Sequence, residues 1–312
     1  MKKKISVVIP CYNEENSINT IYKEIDKVSK EMKDVNFEII FVDDGSLDNS
    51  LKNIKKINKK DKRVRFISFS RNFGKEAGMY AGMNYSTGDY VIIMDCDLQD
   101  PPELIYDMYI ALENSEYDAV VLYSSNHKDY GFIRKFLTKC WYKICGILIS
   151  GNYMPGERDC RLMKRKMVNA VLNLHETNRY TKGIFSYVGF KIFWMKYDIP
   201  NRNNGTSKFS LFKLFKYAID GIVAFSTTPL VISAFIGLLF CVISFIAILV
   251  IIFKTLILGD PTDGWPSLAC IIIFVGGVQL FFLGIIGLYL SKMYSEIKKR
   301  PLYIINETEK DL

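Results

Sequence analysis

The chain has 312 residues, of which 49% are hydrophobic, and this length allows one large domain or two small ones. Its 41 Lys and Arg against 33 Asp and Glu give a formal net charge of +8. Seven cysteines without a CxxC pair and only two histidines argue against a Cys/His zinc site and favour reduced thiols over disulfides.

Residues 1–125 alternate between apolar strand patterns and amphipathic helix patterns. The N-terminal MKKKISVVIP is not expected to be a signal peptide, because its apolar run is short and Pro10 interrupts it. Continuous apolar strands separated by helices predict a parallel sheet that is covered on both faces. The predicted strands are 5–10, 37–42, 64–69, 90–95 and 118–123. The predicted helices run over about 16–33, from after 46 to about 60, and over 74–85.

The basic stretch at 52–65 supplies part of the positive charge. It is interpreted as a solvated helix face, with attraction to anionic lipid headgroups as the alternative. The stretch lacks the interleaved aromatic residues of a nucleic-acid surface, so no nucleic-acid partner is expected.

Polar clusters follow four of the predicted strands. They are 12–15, 43–44, 71–72 and 95–100. In open parallel sheets, ligands bind beyond the carboxyl ends of the strands, so these clusters predict one site. Because the site is acidic, a cation is expected in it.

The kind of ligand is narrowed by the motifs that are missing from the sequence. The sequence contains no GxGxxG, GxxxxGK[ST] or GxSxG string. The main support for a dinucleotide-binding protein, a P-loop protein or a serine hydrolase is therefore missing. The remaining interpretation is a nucleotide-like ligand whose phosphates are managed by a hard divalent cation, Mg²⁺ or Mn²⁺. Asp95 and Asp97 can point to the same side of the chain, so the two carboxylates together can contact a ribose and a metal-bound diphosphate. Alternatively, these carboxylates only cap a helix that begins at Pro101-Pro102.

Two long apolar runs, 229–253 and 267–290, predict a membrane hairpin. Each exceeds the ~20 apolar residues needed to cross a bilayer. A pair of buried core helices is the alternative. Lys213 and Lys216 precede the first run, and Lys292, Lys298, Lys299 and Arg300 follow the second. The positive-inside rule therefore predicts that both termini are cytoplasmic.

Two shorter segments have a basic, aromatic amphipathic pattern. They are 131–150 and 210–220. Such helices are typical of the membrane interface, although ordinary core packing also explains the pattern. Together with the apolar runs, they favour a domain held against the cytoplasmic leaflet.

An ordered set of motifs resembles the family-2 glycosyltransferases and, over its full length, the polyprenyl-phosphate glycosyltransferases. The motifs are VVIPCYNEE, FVDDGS, SRNFGKEAG, DCDLQDPPEL, GERDCRLMKRKMV, KGIFSYVGF and RNNGTSKFSLFKLFKYAIDGI. The resemblance implies an α/β GT-A fold, a Rossmann-like and mostly parallel sheet that binds a nucleotide sugar, followed by a two-helix transmembrane hairpin. The implied divisions are a catalytic domain at 1–208, a juxtamembrane amphipathic helix at 209–226, a membrane region at 227–292 with spans of about 229–253 and 267–291, and a cytoplasmic tail at 293–312.

The resemblance also implies roles for individual residues. The implied catalytic residues are Asp159, Asp97 and Arg202. The implied donor-binding residues are Pro10, Tyr12, Asn13, Glu14, Asp43, Asp44, Lys75, Asp95, Cys96, Arg202, Ser207 and Lys208. Metal ligands are expected at Asp97, Gln99 and Asp95, and contacts to the acceptor phosphate at Arg134, Lys128 and Lys182. Three roles stay open for Asp159: general base, positioning of the acceptor or sugar, and a structural role.

The implied activity is inverting, metal-dependent transfer of a sugar, by default glucose from UDP-glucose, to undecaprenyl phosphate at the cytoplasmic face of the inner membrane. The alternatives are another donor (GDP-mannose, UDP-GlcNAc or an aminosugar) for cell-envelope glycan modification, or an inactive nucleotide-sugar-binding scaffold. A processive transferase is disfavoured, because the chain has no Gln-x-x-Arg-Trp string. Self-association through the membrane helices is a further expectation.

Overall fold

All five strands predicted in the first 125 residues are present in the computed structural model of the protein. The structure describes residues 2–124, 154, 156–177, 179–197, 228–258 and 264–311. The strands are Lys3–Cys11 (β1), Val35–Asp43 (β2), Val64–Phe69 (β3), Tyr90–Ile93 (β4), Ala119–Tyr123 (β5), Glu157–Lys164 (β6), Ile192–Lys196 (β7) and Ile305–Thr308 (β8). The helices are Ile18–Glu31 (α1), Ser50–Lys60 (α2), Lys75–Tyr85 (α3), Leu104–Glu113 (α4), Arg165–Leu172 (α5), Thr181–Tyr187 (α6), Thr228–Leu258 (α7) and Trp265–Ile297 (α8). A short 3₁₀ turn, Glu309–Asp311, follows β8.

The strands form one mostly parallel sheet, as the sequence predicts. Its order is β7-β5-β6-β4-β1-β2-β3-β8. Strands β1 to β4 are parallel to their neighbours within this group, which follows from the helices that connect them. The apolar runs are buried: Ile5, Val7, Val8 and Ile9 of β1 are all fully enclosed. Strand β1 therefore lies in the middle of the core, with layers of helices over the sheet.

Three strands lie outside the predicted alternation. Strand β6 runs antiparallel between β4 and β5, with Ile93 opposite Arg161. Strand β7 adds to β5 in parallel, and β8 pairs antiparallel with the edge strand β3. The reversal at β6 brings the start of that strand to the carboxyl end of β4.

The chain divides into two units, Met1–Lys213 with Arg300–Leu312, and Leu214–Lys299. The first unit contains the sheet, including β8. Residues 293–312 are expected to form a cytoplasmic tail, whereas Ile305–Thr308 form a strand of the sheet. The predicted amphipathic segments at 131–150 and 209–226 lie outside the described residues.

The second unit contains the long apolar helices α7 and α8. Among the residues whose side chains the structure describes, the helical stretch Phe274–Ile297 is long and apolar enough to cross a membrane. None of the apolar part of this stretch is buried. A shorter apolar helical stretch is Pro229–Phe240 of α7. One candidate span is therefore found in the described part of the chain, and the second span of the hairpin stays a prediction.

A buried carboxylate ties the strands together at the end of the sheet where β1 begins. Glu38 of β2 is 4% exposed and accepts hydrogen bonds from Ser6 (2.5 Å), from Thr87 through its backbone N–H and hydroxyl, and from Arg65 (2.7 Å). Burial alone raises the pKa of Glu38, but these donors outweigh it and lower the pKa to about 2. The charged form is therefore favoured by the folded state.

Replacing Glu38 with Gln is expected to lower the free energy of unfolding at neutral pH by about 3 kcal/mol. Since the pKa is lowered on folding, this stabilisation is present above pH 4.5, the ordinary pKa, and is lost as the pH falls towards 2. Unfolding of wild type and variant should be compared at pH 7 and pH 3. Glu31→Gln, a change at an exposed glutamate, is the control. A constant difference between wild type and Glu38→Gln at both pH values would contradict the linkage.

Candidate active site

A cavity of about 350 Å³ opens where the carboxyl ends of β1 to β4 meet. It is formed by the loops that follow these strands, as expected for an open parallel sheet. Seven of the predicted donor-binding residues line it: Pro10, Tyr12, Glu14, Asp44, Lys75, Asp95 and Cys96. Asp97, a predicted metal ligand, lines it as well. The four polar strand ends that the sequence singles out therefore contribute to one site.

The segment after β4 makes a tight turn that exposes a carboxylate. Leu98 adopts a left-handed backbone with φ of +58°, which is unfavourable for a residue with a Cβ. This turn lets the backbone N–H of Gln99 donate to Asp97 at 3.2 Å, and the Gln99 side-chain amide also donates to that carboxylate. The side-chain oxygen of Gln99 accepts a hydrogen bond from Arg158 at 3.1 Å. Asp97 therefore faces the cavity, while the oxygen of Gln99 is already engaged.

Lys75 joins the carboxylates of two strands. Its ammonium lies 2.5 Å from Asp95 and 2.6 Å from Asp159. Because Ile93 pairs with Arg161 on the antiparallel strand β6, continuing that register by two residues brings Asp95 opposite Asp159. Burial by itself lowers the pKa of Lys75, but Asp159 and Asp95 outweigh it and raise the pKa. Lys75 is therefore firmly protonated.

Asp159 lies between two lysines. Besides Lys75, the ammonium of Lys182 on α6 is 3.7 Å from the Asp159 carboxylate and donates to the Glu157 carbonyl at 3.0 Å. Burial raises the pKa of Asp159, but Lys182 and Lys75 outweigh it and hold the pKa far below its usual range. A carboxylate this weakly basic is a poor proton acceptor at neutral pH. Asp159 is therefore held ionised between two ammonium groups, and its three expected roles stay predictions.

Asp43 and Asp44 shape the loops around the cavity. Asp44 accepts hydrogen bonds from the backbone N–H groups of Phe73 (2.6 Å) and Gly74 (2.9 Å), which lead into α3. Burial raises the pKa of Asp44, and these two hydrogen bonds oppose that change. Asp43 is 1% exposed and accepts a hydrogen bond from Ser68 at 2.8 Å. Both predicted donor-binding carboxylates therefore also hold the neighbouring loops in place.

Asn13, also a predicted donor contact, bridges two loops. Its side-chain oxygen accepts a hydrogen bond from the Leu47 N–H at 2.9 Å, and its own N–H donates to Ser46 at 2.9 Å. With φ of +54°, it occupies the left-handed region, which asparagine tolerates better than most residues. Asn13 thus fixes the loop after β1 against the loop after β2.

A buried group whose partners the sequence did not predict supports the segment after β4. Asp100 is fully buried and accepts hydrogen bonds from Arg158 (3.1 Å) and from the hydroxyl of Tyr197 (2.6 Å). Burial raises the pKa of Tyr197, and its hydrogen bond to Asp100 adds to the effect. Asp100 and Arg158 both fall inside quoted motifs, but nothing in the sequence pairs them, because the contact depends on the antiparallel placement of β6.

Glu76, which follows Lys75, is a residue that sequence reasoning missed. It accepts a hydrogen bond from the backbone N–H of Thr181 at 3.0 Å, at the start of α6. Burial, with the nearby negative charge of Asp159, raises the pKa of Glu76 to about 7. Since α6 carries Lys182, Glu76 links α3 to the lysine that contacts Asp159. The sequence offered no signal beyond the position of Glu76 next to Lys75.

Five predicted site residues lie outside the described residues. They are Lys128, Arg134, Arg202, Ser207 and Lys208. Their roles stay predictions.

Comparison with known proteins gives similarity over almost the whole chain. Residues 6–172 match Glycosyl transferase family 2. The chain is 38% identical to the SfII prophage-derived bactoprenol glucosyl transferase of Shigella flexneri, over 98% of this chain and 99% of that protein. It is 37% identical to an uncharacterized glycosyltransferase of Synechocystis sp., over 98% of this chain and 96% of that protein.

Among solved structures, mannosyl-3-phosphoglycerate synthase from Rubrobacter xylanophilus superimposes with a TM-score of 0.50. The match covers 71% of this chain and 73% of that chain at 16% identity. A likeness at this level of identity shows a shared fold, in agreement with the mostly parallel α/β sheet described above.

Proposed function

Because the chain belongs to glycosyl transferase family 2 and has the GT-A fold, we propose that it transfers a sugar from a nucleoside diphosphate to the phosphate of a polyprenyl lipid. The observation that carries the proposal is the meeting of Asp95, Lys75 and Asp159 beside a cavity at the carboxyl ends of the strands. The similarity to a bactoprenol glucosyl transferase over 98% of the chain supports a lipid acceptor.

The nucleotide is proposed to occupy the cavity. Its volume of about 350 Å³ lies within the range of small-molecule sites. Pro10 near the end of β1, with Tyr12 and Glu14 beyond it, would contact the base and ribose. The diphosphate would then extend towards Asp95 and Asp97, which also line the cavity. Glucose from UDP-glucose is the default donor, with GDP-mannose, UDP-GlcNAc and aminosugar donors as the alternatives.

A divalent cation fits the oxygen donors of this site. Asp95 and Asp97 both line the cavity, and Mg²⁺ typically uses one or two carboxylates together with substrate phosphates and water. Among the described residues, no three His, Cys, Asp or Glu side chains are grouped to hold a metal, so phosphate and water would complete the shell. Gln99 is the weaker candidate, since its oxygen is engaged by Arg158. When bound, the cation would supply charge stabilisation for the departing diphosphate.

The acceptor phosphate is proposed to approach Lys182. A phosphate monoester has a second pKa of about 6, so it is mostly dianionic at neutral pH and needs no general base. Asp159, held ionised by Lys75 and Lys182, would fix the positions of both ammonium groups around the reacting atoms. The lipid oxygen attacks the anomeric carbon opposite the leaving group, which inverts its configuration. Arg202 is proposed to bind the diphosphate in a bidentate manner.

Membrane attachment is part of the proposal. The apolar stretch Phe274–Ile297 supports one span, and the apolar run at 229–253, within α7, is proposed as the second. With the basic residues that flank the two runs, both termini and the catalytic domain would lie on the cytoplasmic side of the inner membrane. Attachment would keep the enzyme close to a lipid acceptor that stays in the bilayer.

The test is transfer of radiolabelled sugar from a panel of nucleotide sugars to undecaprenyl phosphate, with Mn²⁺ or with EDTA, for wild type and Asp97→Ala. A chloroform-soluble product is expected from wild type with metal. Asp97→Ala is expected to lower the rate of product formation roughly 10²–10³-fold. A loss of this size is typical when a group that stabilises charge in the transition state is removed. EDTA should abolish transfer, and added Mn²⁺ should restore it.

Asp34→Ala, at an exposed carboxylate next to β2, is the matched control and should behave as wild type. Donor hydrolysis without a lipid product would keep the donor site and discard the lipid acceptor. Full activity in EDTA, or in Asp97→Ala, would reject the metal site.

A further inference from the structure

The C-terminal segment, defined here as residues 301–311, is fastened to the catalytic sheet by more than strand pairing. The ring of Tyr303 stacks on Phe69 with a centroid distance of 4.9 Å and an angle of 19° between the planes. It also lies 6.4 Å from the ring of Tyr80 on α3, and the side chain of Asn84 hydrogen-bonds to its hydroxyl. Tyr303 therefore contacts both β3 and α3.

The far end of the segment binds the same two elements. Glu309 accepts hydrogen bonds from Arg65 of β3 at 2.9 Å and from the hydroxyl of Tyr85, the last residue of α3, at 2.8 Å. The backbone N–H of Ser70 donates to the carbonyl of Ile304 at 3.0 Å, just beyond the end of β3. Tyr303 therefore contacts the middle of α3, and Glu309 accepts a hydrogen bond from its last residue.

These contacts lead directly to the active site. Phe69, which is 2% exposed, packs edge-on against Phe73 with 5.8 Å between the ring centroids. Phe73 and Gly74 donate their backbone N–H groups to Asp44, and the next residue is Lys75, the first of α3. The stack of Tyr303, Phe69 and Phe73 therefore supports the loop from which Lys75 reaches Asp95 and Asp159.

We propose that Tyr303 is a positioning residue, whose ring holds the loop 73–74 and the start of α3 so that the Lys75 ammonium lies between Asp95 and Asp159. This inference rests on the proposed function, because its test measures kcat of the proposed sugar transfer. A shift of one ångström in a group around the reacting atoms can lower a rate about 10²-fold, whereas packing that is merely structural affects stability alone. The two roles therefore predict different measurements.

The experiment compares the full-length wild type with Tyr303→Ala, Tyr303→Phe and Glu307→Ala. Tyr303→Phe keeps the ring and removes only the hydroxyl. Glu307→Ala removes a contact of the same segment to Lys55 of α2 (2.5 Å) and leaves the aromatic stack untouched. For each protein, we would measure kcat and the donor KM, hydrogen exchange of the amides at 73–79, and the midpoint of thermal unfolding, so that kinetics are compared where all are folded.

Tyr303→Ala is expected to lower kcat about tenfold, with little change in the donor KM, and to speed amide exchange at 73–79. Tyr303→Phe and Glu307→Ala are expected to keep both quantities near wild type. Wild-type kcat and exchange in Tyr303→Ala would overturn the proposal, as would an equal loss of kcat in Glu307→Ala. If wild type makes no lipid product from any donor, the proposed function fails, and the exchange comparison then decides whether the Tyr303 ring holds the loop 73–74; wild-type exchange in Tyr303→Ala would overturn that part of the proposal.

Discussion

Asp159→Asn is expected to lower kcat for lipid-linked sugar formation roughly 100-fold, with a much smaller change in the donor KM. The asparagine keeps the size of the side chain and removes the charge that attracts Lys75 at 2.6 Å and Lys182 at 3.7 Å. Lys75 would then be held by Asp95 alone and Lys182 by the Glu157 carbonyl alone, so both ammonium groups would be positioned less firmly. The measurement is kcat and KM for wild type, Asp159→Asn and Asp159→Glu, with Asp107→Asn, at an exposed position of α4, as the matched control.

The pH dependence of kcat separates the two catalytic roles of Asp159. The pKa of Asp159 lies far below its usual range, so in a positioning role the residue stays ionised throughout the assay range. The acid limb of the profile would then belong to the acceptor phosphate, with a pKa of about 6, and should persist in Asp159→Asn. Glu76, with a pKa of about 7 that Asp159 helps to raise, also titrates in this range. If the limb disappears in Asp159→Asn and persists in Glu76→Gln, Asp159 is the general base.

Lys75→Met is expected to have a comparably large effect, because it removes the cation between Asp95 and Asp159. With Lys182 as the remaining counter-charge beside Asp159, the facing carboxylates repel each other more strongly, so their pKa values should rise. The activity of the variant should therefore be low at acidic pH and should recover partly as the pH rises. A decrease in kcat of roughly 100-fold at neutral pH is expected, with Lys75→Arg intermediate. Lys56→Met, at an exposed lysine of α2, is the control.

The double variant Lys75→Met/Asp159→Asn tests whether the two side chains act as one unit. If Lys75 and Asp159 act through their ion pair, the second substitution should add little to the first, because residues in contact are not additive. The product of the two single decreases, seen in the double variant, would show that they act independently.

The strands of the first 125 residues and the edge of the sheet that carries the site were predictable from the sequence. Both depend on local patterns: apolar runs such as 5–9 give buried strands, and polar residues collect where each run ends. Parallel topology then brings these ends together. The acidic cluster at 95–100 was recognised on this basis, together with Lys75 from its motif.

The partners of these residues were not predictable, because they depend on strands that lack a clear pattern. Strand β6 contains Glu157, Arg158 and Asp159 among its first residues and reads as a polar segment; its strand state is decided by pairing with β4 and β5. The contact between Lys75 and Asp159 joins residues 84 positions apart. Strand β8 is only four residues long, and the sequence predicts a tail in this region.

The sheet is discontinuous in the chain, since β8 is encoded after both long apolar helices. During translation, a nascent chain therefore exposes β3 as an unpaired edge until α7 and α8 have left the ribosome, and such edges invite aggregation. Completion of the catalytic sheet is thereby coupled to the fate of the apolar helices. A fragment that stops before α7 lacks this strand, whereas joining residues 1–213 to 300–312 through a linker would retain all eight strands described here.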